Sequence, residues 1–177
     1  YKVIRHSSSG PQEFVVKFAG KKKGRVELEC EIQALLRLHK DGTHPNIVRY
    51  YGLTDSENTG EVVEASYHMG LVLEYVSPIH LSHFMAYFCS TDVIKSIMIQ
   101  IAQGLRFMEA KDLVHMDLKP ENVLINKKHE VKIVDFGLTA PIDSEVRFRG
   151  TYGFMPPELF EEYYNGRIKV RPEKDVF

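Results

Sequence analysis

The stretch "VHMDLKPENVLI", from Val114 to Ile125, places Asp117, Lys119 and Asn122 within six residues, directly before a short apolar run. Two apolar runs, "NVLI" and "VKIVDF", bracket the polar stretch "NKKHE", a pattern that predicts a short β-hairpin. Asp135 follows the second run, eighteen residues after Asp117. The predicted hairpin therefore brings Asp135 back beside the polar cluster.

The residue types in this cluster match the needs of phosphoryl transfer. That reaction requires hard oxygen ligands for Mg²⁺, a carboxylate near the attacking hydroxyl group, and cations on the phosphates. Asp135 and Asn122 are candidate metal ligands, since both offer oxygen atoms. Asp117 is the candidate that accepts or orients the hydroxyl proton, and Lys119 is the candidate that neutralises charge on the transferred group.

The rest of the chain predicts an α+β architecture in two parts. The runs "YKVIR", "EFVVKF", "NIVRYYGL" and "SYHMGLVLEYV" are typical of strands. Between the second and third of them, Leu28, Ile32, Leu35 and Leu36 recur at helical spacing and predict one amphipathic helix from Gly24 to His39. A second helix is predicted in "DVIKSIMIQIAQGLRFMEA", and "SPIH" before it is a natural linker.

Composition limits the possible partners and locations. With 44% hydrophobic and 27% charged residues, the chain is typical of a globular protein, and a net charge of −1 gives no reason to expect nucleic acid or a membrane surface. Cys30 and Cys89 form neither a disulfide framework nor a metal-ligand spacing, which favours an intracellular, cytoplasmic or nuclear location. Neither a signal region nor an apolar run of about 18 residues is present in the sequence.

Several motifs, in order, resemble those of the eukaryotic protein kinase family. They are the strand "FVVKF", the helix "ECEIQALLRLH", then "HPNIV", the hinge "LVLEYV", the loop "HMDLKPEN", the metal motif "DFG", the segment "GTYGFMPPE" and the run "RPEKDVF". The resemblance covers nearly the whole chain. It implies a bilobal fold, with an N-lobe at residues 1–73, a hinge at 74–78 and a mainly helical C-lobe at 79–177.

The resemblance also implies individual roles in ATP binding and catalysis. Lys17 is the expected ATP lysine and Glu31 is its partner on the C-helix. Leu73 is the expected gatekeeper residue. Other nucleotide-binding positions are the backbones of Glu74 and Val76, the side chain of Leu124, and Asp135. Asp117, Lys119 and Asn122 are the expected catalytic residues, and Asn122 and Asp135 are the metal ligands. The cofactors implied are ATP and Mg²⁺.

Two residues refine the substrate class that the resemblance implies. In the family, "DLKPEN" accompanies serine/threonine kinases, so Lys119 favours a serine or threonine hydroxyl on a protein substrate. Thr151 supports this class, because such kinases use a threonine there to bond the catalytic aspartate and lysine. Glu158 is expected to close the activation segment and seek a basic partner. The implied function is therefore a protein serine/threonine kinase acting in signalling by phosphorylation.

The sequence departs from the family pattern at several points. Met116 stands where most members carry an arginine that pairs with an activation-segment phosphate, which predicts activity that does not depend strongly on such a phosphate. Val15 replaces a smaller alanine over the adenine ring, and Pro156 replaces the alanine of "APE". The Gly-rich loop and most of the F-helix are expected to lie outside the 177 residues, so the fragment alone is expected to be weak or inactive.

Alternative interpretations remain open at this stage. A pseudokinase that serves as an ATP-binding or scaffold module would retain the fold without turnover, and a small-molecule kinase would lack a peptide-binding segment such as "GTYGFMPPE". His80 and His83 have metal-compatible spacing but no matching ligands, so a solvated pair is favoured. His115 is interpreted as a packed residue that positions its loop. Ser144 is either a regulated phosphosite or part of a polar loop. The oligomeric state is not predicted.

Overall fold

A four-stranded antiparallel sheet forms the first part of the computed structural model. The structure describes residues 1–7, 10–19, 22–55, 69–86, 90–147, 150–154 and 166–175. The sheet order is β1-β2-β4-β3. The strands are β1 (Lys2–Ser7), β2 (Gly10–Phe18), β3 (Tyr50–Asp55) and β4 (Met69–Glu74). The antiparallel register places Lys17 opposite Leu71 on the neighbouring strand, within the body of the sheet.

Helix α1 (Lys22–His39) follows β2, as the periodicity predicts, and begins two residues earlier than expected. Leu28, Ile32 and Leu35 are buried on its inner face. Leu36, which the spacing also assigned to that face, is 46% exposed. The buried stripe is therefore narrower than the predicted one, and it holds α1 against the sheet so that Glu31 also lies inward, at 1% exposure.

The third predicted strand, "NIVRYYGL", needs a correction, because the observed strand β3 begins only at Tyr50. Ile47 and Val48 are almost completely buried, but they join a different part of the molecule. Ile47 forms a parallel bridge with Ile133, and the Val48 amide donates to the Ile133 carbonyl at 3.1 Å. Apolar character alone cannot tell which of two neighbouring strands a short run will pair with.

Helices dominate the start of the second part. They are α2 (Leu81–Met85), which the sequence did not predict, and α3 (Thr91–Ala110), which it did. The Ser90 hydroxyl caps α3 by accepting a hydrogen bond from the Val93 amide at 3.4 Å. Ile97, Ile101 and Met108 form the buried face of α3. Among the described residues, no helix has the length and apolarity needed to cross a membrane.

Three short antiparallel pairs complete the described structure. The predicted hairpin is confirmed as β6 (Val123–Ile125) paired with β7 (Val131–Ile133). The other two pairs were not predicted: β5 (Leu113–Val114) with β8 (Ala140–Pro141), and β9 (Glu145–Arg147) with β10 (Arg167–Lys169). Each consists of only two or three residues per strand, which is too short for an alternation pattern to show.

One apolar core joins the two parts. Leu35 and Leu38 of α1, Leu71 of β4, Met108 of α3 and Phe136 all belong to a single buried cluster. Phe136, directly after Asp135, is fully buried in it. Asp135 and Phe136, shortly after β7, are thus fixed by the same core that holds α1 to the sheet.

Some expectations concern residues outside the described ranges. They are the start of the predicted strand "SYHMGLVLEYV" at residues 66–68, Cys89, Pro156, Glu158, and the end of the run "RPEKDVF" at residues 176 and 177.

Candidate active site

The loop that carries Asp117 is held from beneath by a buried carboxylate. Asp175 accepts hydrogen bonds from two consecutive amides, that of His115 at 2.5 Å and that of Met116 at 2.8 Å. Met116 adopts a left-handed backbone conformation with φ of 68°. Asp175 is 6% exposed, and this burial raises its pKa, an effect that the nearby His115 and the two amides oppose. The sequence did not single out Asp175 for this role, because the contact joins residues about sixty positions apart.

His115 is fully buried and positions the loop, as the sequence predicted. Its Nε2 atom lies 3.0 Å from the Val134 carbonyl, and the Asp117 amide donates to its Nδ1 atom at 3.3 Å. Nε2 is therefore the protonated nitrogen. The ring also packs on Phe136 with 5.3 Å between centroids. This one residue joins the Asp117 loop to the strand end that carries Asp135.

The Asp117 carboxylate is the centre of a compact network. Its Oδ1 atom accepts from both the amide and the hydroxyl group of Thr151, each at 2.8 Å. Its Oδ2 atom accepts from the Lys119 ammonium group at 2.7 Å. Lys119 also donates to the Thr151 hydroxyl oxygen at 2.6 Å. Thr151 lies 34 positions after Asp117. The fold therefore brings Thr151 to Asp117 and Lys119, an association that the sequence indicated only through the family resemblance.

Asn122 ends a one-turn 3₁₀-helix, Pro120–Asn122, and faces the same carboxylate. Its Nδ2 atom donates to the Asp117 carbonyl at 2.9 Å and to Asp117 Oδ2 at 3.3 Å. These donations fix the orientation of the carboxamide and leave its Oδ1 atom as the acceptor available to a ligand. The Val134 amide donates to the Asn122 carbonyl at 3.0 Å, which ties this turn to the residue before Asp135.

A second network centres on Lys17. Its ammonium group lies 2.6 Å from Glu31 Oε2 and 2.7 Å from Asp135 Oδ1. Burial lowers the pKa of Lys17, but the charges of Glu31 and Asp135 outweigh this effect and leave the pKa raised. Burial also raises the pKa of Glu31, whose Oε1 atom has no hydrogen-bond partner among the described residues.

Asp135 belongs to the Lys17 network and also lies near the Asp117 network. It adopts a left-handed backbone with φ of 65°, which turns the chain sharply after β7. Burial acts to raise the pKa of Asp135, but the positive charge of Lys17 is stronger and holds that pKa below its ordinary value. Asp135 is therefore ionised at neutral pH and remains 48% exposed.

A cleft of about 320 Å³ lies between β2, α1 and the two loops. Lys17, Asp117 and Asp135 line it together, with Phe18, Ala19, Gly24, Glu27, Leu28, Gly137 and Leu138. Three of the predicted site residues thus face one solvent-accessible space. Groups of three or more His, Cys, Asp or Glu residues that could hold a metal ion are not found in the described parts of the chain. A metal here would rely on Asp135 and the neutral Asn122.

The predicted adenine-side residues lie on β4, directly after it, and on β6. Glu74 is the last residue of β4, and its Oε2 atom accepts from the Arg49 amide at 3.0 Å and pairs with Lys132 at 2.8 Å. Leu73 is buried and lies opposite Val15 in the sheet register. Val76 packs against the main core, and Leu124 is half-buried on β6. Their contacts with a nucleotide stay a prediction.

His80, which directly precedes α2, and His83, within α2, do not form a metal site of the usual kind. The ring centroids of His80 and His83 are 6.2 Å apart. His80 Nδ1 lies 2.5 Å from the carbonyl oxygen of Glu121, so the ring donates there and anchors the turn that precedes Asn122.

Comparisons with known proteins agree with this geometry. The chain matches the family model described as "Protein kinase domain" over residues 1–177. Death-associated protein kinase 2 of Mus musculus is 31% identical over 175 residues, covering 89% of this chain and 44% of the relative. The probable serine/threonine-protein kinase MARK-A of Dictyostelium discoideum is 31% identical over 178 residues, covering 97% of this chain and 16% of the relative.

A solved structure shows the same fold. The Cydia pomonella granulovirus kinase PK-1 superposes with a TM-score of 0.69 at 22% identity, over 93% of this chain and 55% of that one. This likeness confirms the predicted bilobal α+β architecture. The chain spans less than half the length of the two curated relatives named above. Because the family model covers all 177 residues, the chain belongs to the protein kinase family.

Proposed function

We propose that this chain carries the catalytic core of an ATP-dependent protein kinase that phosphorylates serine or threonine hydroxyl groups. The observation that carries the proposal is the convergence of two networks on one cleft. Asp117 with Lys119 forms the first network, and Lys17, Glu31 and Asp135 form the second. Lys17, Asp117 and Asp135 line the same cleft. Cations and carboxylates placed this way suit a reaction in which phosphate charge is redistributed.

In the proposed mechanism, the Asp117 carboxylate orients the attacking hydroxyl group and takes its proton. In the proposed step a bond forms between the hydroxyl oxygen and the γ-phosphorus of ATP. The bond from that phosphorus to the oxygen bridging it to the β-phosphate breaks, and ADP leaves. Lys119, 2.7 Å from Asp117, lies where it can balance charge on the transferred group.

Lys17 acts at the other end of the cleft, on the phosphates of ATP. Its ammonium group is held by Glu31, whose burial on α1 fixes the position of the ion pair. Lys17 also contacts Asp135. A phosphate oxygen that enters the cleft would therefore either replace Asp135 as a partner of the lysine or bind beside it. Such an arrangement orients the nucleotide before reaction, which reduces the entropic barrier.

Asp135 and Asn122 fit a hard divalent cation. Asp135 offers an ionised, half-exposed carboxylate, and the Asn122 Nδ2 contacts leave Oδ1 as the free acceptor. When bound, Mg²⁺ would neutralise phosphate charge. The main chain of Glu74 and Val76 would hold the adenine base, with Val15 and Leu124 on its two faces. The larger Val15 side chain narrows that slot.

The serine/threonine class is supported by the contacts of Thr151. Its hydroxyl group donates to Asp117 and accepts from Lys119, so the lysine and the threonine both bind the same carboxylate and each other. One of the relatives is named a serine/threonine-protein kinase. The substrates we propose are proteins with exposed serine or threonine residues. A cytosolic or nuclear location, suggested by the low cysteine content, stays a prediction.

The test is phosphate transfer from ATP to a peptide library by the full-length protein. Libraries with a single serine, threonine or tyrosine acceptor separate the substrate classes. We expect transfer to serine and threonine peptides and little to tyrosine peptides. Binding of ATP without transfer to any library would support the pseudokinase alternative instead. Transfer only to tyrosine would overturn the serine/threonine assignment.

A further inference from the structure

An apolar cluster surrounds Met116, the residue immediately before Asp117. We call it the Met116 cluster; its buried members are Val114, Met116, Ala140, Ile168 and Val170, with Leu138, Ile142 and Val146 packed partly buried against them. Met116 itself is 9% exposed. The cluster therefore draws on three separated stretches of chain: the Asp117 loop, residues 138–146, and residues 168–170.

The backbone at Met116 fixes where its side chain lies. The residue is left-handed, with φ of 68°, and its amide is bonded to Asp175. A non-glycine residue in this conformation is held there at some cost, so its surroundings must stabilise it. Because Met116 directly precedes Asp117 in the chain, movement of the cluster would shift the Asp117 carboxylate.

Strand pairing fastens the other two stretches to each other. In the β9–β10 pair, Val146 lies opposite Ile168, so an apolar residue from each strand meets at the cluster. Two main-chain hydrogen bonds of 2.9 Å extend the pairing, from the Asp143 amide to Val170 and from the Val170 amide to Ser144. Lys169 also pairs with Asp143 at 2.9 Å.

Charge around Ser144 disfavours a phosphate at that position. Ser144 lies between Asp143 and Glu145, and its hydroxyl group donates to the Pro141 carbonyl at 2.6 Å. A phosphoryl group there would meet two neighbouring carboxylates. Two cations near this position already pair with those carboxylates, Lys169 with Asp143 at 2.9 Å and Arg167 with Glu145 at 3.8 Å. Added negative charge would thus compete with the β9–β10 pairing.

We propose that Met116 and Ile168 form an apolar latch that positions residues 138–147, and through them Thr151, against Asp117 without a phosphate on that segment. The inference rests on the proposed function, since it concerns how the same site is kept in order. Met116 and Ile168 are positioning residues, as neither touches the Asp117 carboxylate. A cavity of about 270 Å³ beside Met116 is lined by Cys30, next to Glu31, so the latch also adjoins α1.

The latch can be tested in the full-length protein after phosphatase treatment. Met116→Gln keeps the side-chain length and removes its apolar character, and Ile168→Thr keeps the β-branched shape. We expect each to lower kcat/KM for a peptide by roughly 10- to 100-fold. Because both residues belong to one buried cluster, the double variant should lose little more than either single variant. Met116→Leu should retain activity, and the Kd for ATP should be unchanged in all of them.

Hydrogen exchange shows where an effect is located, because a general loss of stability would also raise exchange elsewhere in the chain. We expect amide exchange at residues 143–147 to rise about tenfold or more in Met116→Gln and Ile168→Thr. The control is Ile97→Thr, a buried position on α3 in a different cluster, which should leave that exchange unchanged. Unchanged exchange at 143–147 in both latch variants would overturn the proposal. So would loss of wild-type activity on phosphatase treatment alone, provided that the untreated enzyme is active. If the untreated enzyme also fails to transfer phosphate, the proposed function fails, while unchanged exchange in the variants would count against the latch alone.

Discussion

Lys17 and Glu31 are joined across the space between β2 and α1 by a contact of 2.6 Å. The two partners differ in environment, since the Lys17 side chain is 41% exposed and that of Glu31 only 1%. Removing the lysine would leave the buried Glu31 carboxylate without this positively charged partner. The ion pair therefore links the position of α1 to the cleft, and its loss should affect stability as well as activity.

We expect Lys17→Met to lower the free energy of unfolding by about 1–3 kcal/mol, because Glu31 loses its charge partner inside the protein. Protonation of Glu31, whose pKa burial already raises, limits the cost. The double variant Lys17→Met/Glu31→Leu should recover much of the stability and none of the phosphate transfer. Urea unfolding measures this; a double variant less stable than the single one would contradict the explanation.

Asn122→Ala should raise the Mg²⁺ concentration needed for half-maximal activity by at least about tenfold. The variant loses both the candidate metal ligand and the hydrogen bond to the Asp117 carbonyl. Asn126→Ala is the matched control, because Asn126 is only partly buried at the β6–β7 turn and bonds Glu130 instead. Activity titrated against Mg²⁺ separates the two variants, and an equal response would remove Asn122 from the metal site.

Gly70→Ala should lower the free energy of unfolding by about 1–3 kcal/mol through overpacking in the sheet. A Cβ atom at this position would lie 2.6 Å from Thr54 Oγ1 and 2.8 Å from Val16 Cγ1. Gly24→Ala, in α1, is the control, since a Cβ atom there would meet no other atom within 4 Å and helix propensity favours alanine. Thermal unfolding of both variants gives the comparison; equal losses would argue against steric crowding at Gly70.

The contribution of His39 should lower stability as the pH falls below about 6.5. Burial lowers the pKa of His39, whose Nε2 atom accepts from the Tyr50 amide at 3.4 Å. The unfolded chain then binds more protons than the folded one, so acid favours unfolding. His44, with a pKa that burial also lowers, acts in the same direction.

The variant His39→Gln isolates the first of these histidines. Its free energy of unfolding should change less between pH 7 and pH 5.5 than that of the wild type. Chemical denaturation at the two pH values measures the difference. An identical pH dependence in both proteins would show that His39 does not titrate on unfolding.

Local patterns were sufficient to predict the parts of the fold that have long periodicity. Helices α1 and α3 have apolar stripes over several turns, and the β6–β7 hairpin has a clear polar turn between two apolar runs. The clustering of Asp117, Lys119 and Asn122 was visible because these residues are close in sequence. The approach of Asp135 followed from the hairpin between them.

Contacts between distant and short stretches could not be predicted in this way. Ile47 and Val48 are as apolar as a sheet strand, yet they pair with β7 because the core between the two parts needs them. The β9–β10 pair joins three-residue strands about twenty residues apart, too short for a pattern. Asp175 supports the Asp117 loop from almost sixty residues away, and only the folded chain shows why its carboxylate is buried.

We expect Asp117 to take part in phosphate transfer at the cleft that it lines. The most direct measurement compares initial rates of ATP-dependent phosphorylation of a serine peptide by the full-length wild type and by Asp117→Asn, at saturating ATP. We expect the rate of Asp117→Asn to be lower by roughly 10²- to 10⁴-fold, with ATP binding retained. Equal rates for the two proteins would contradict it.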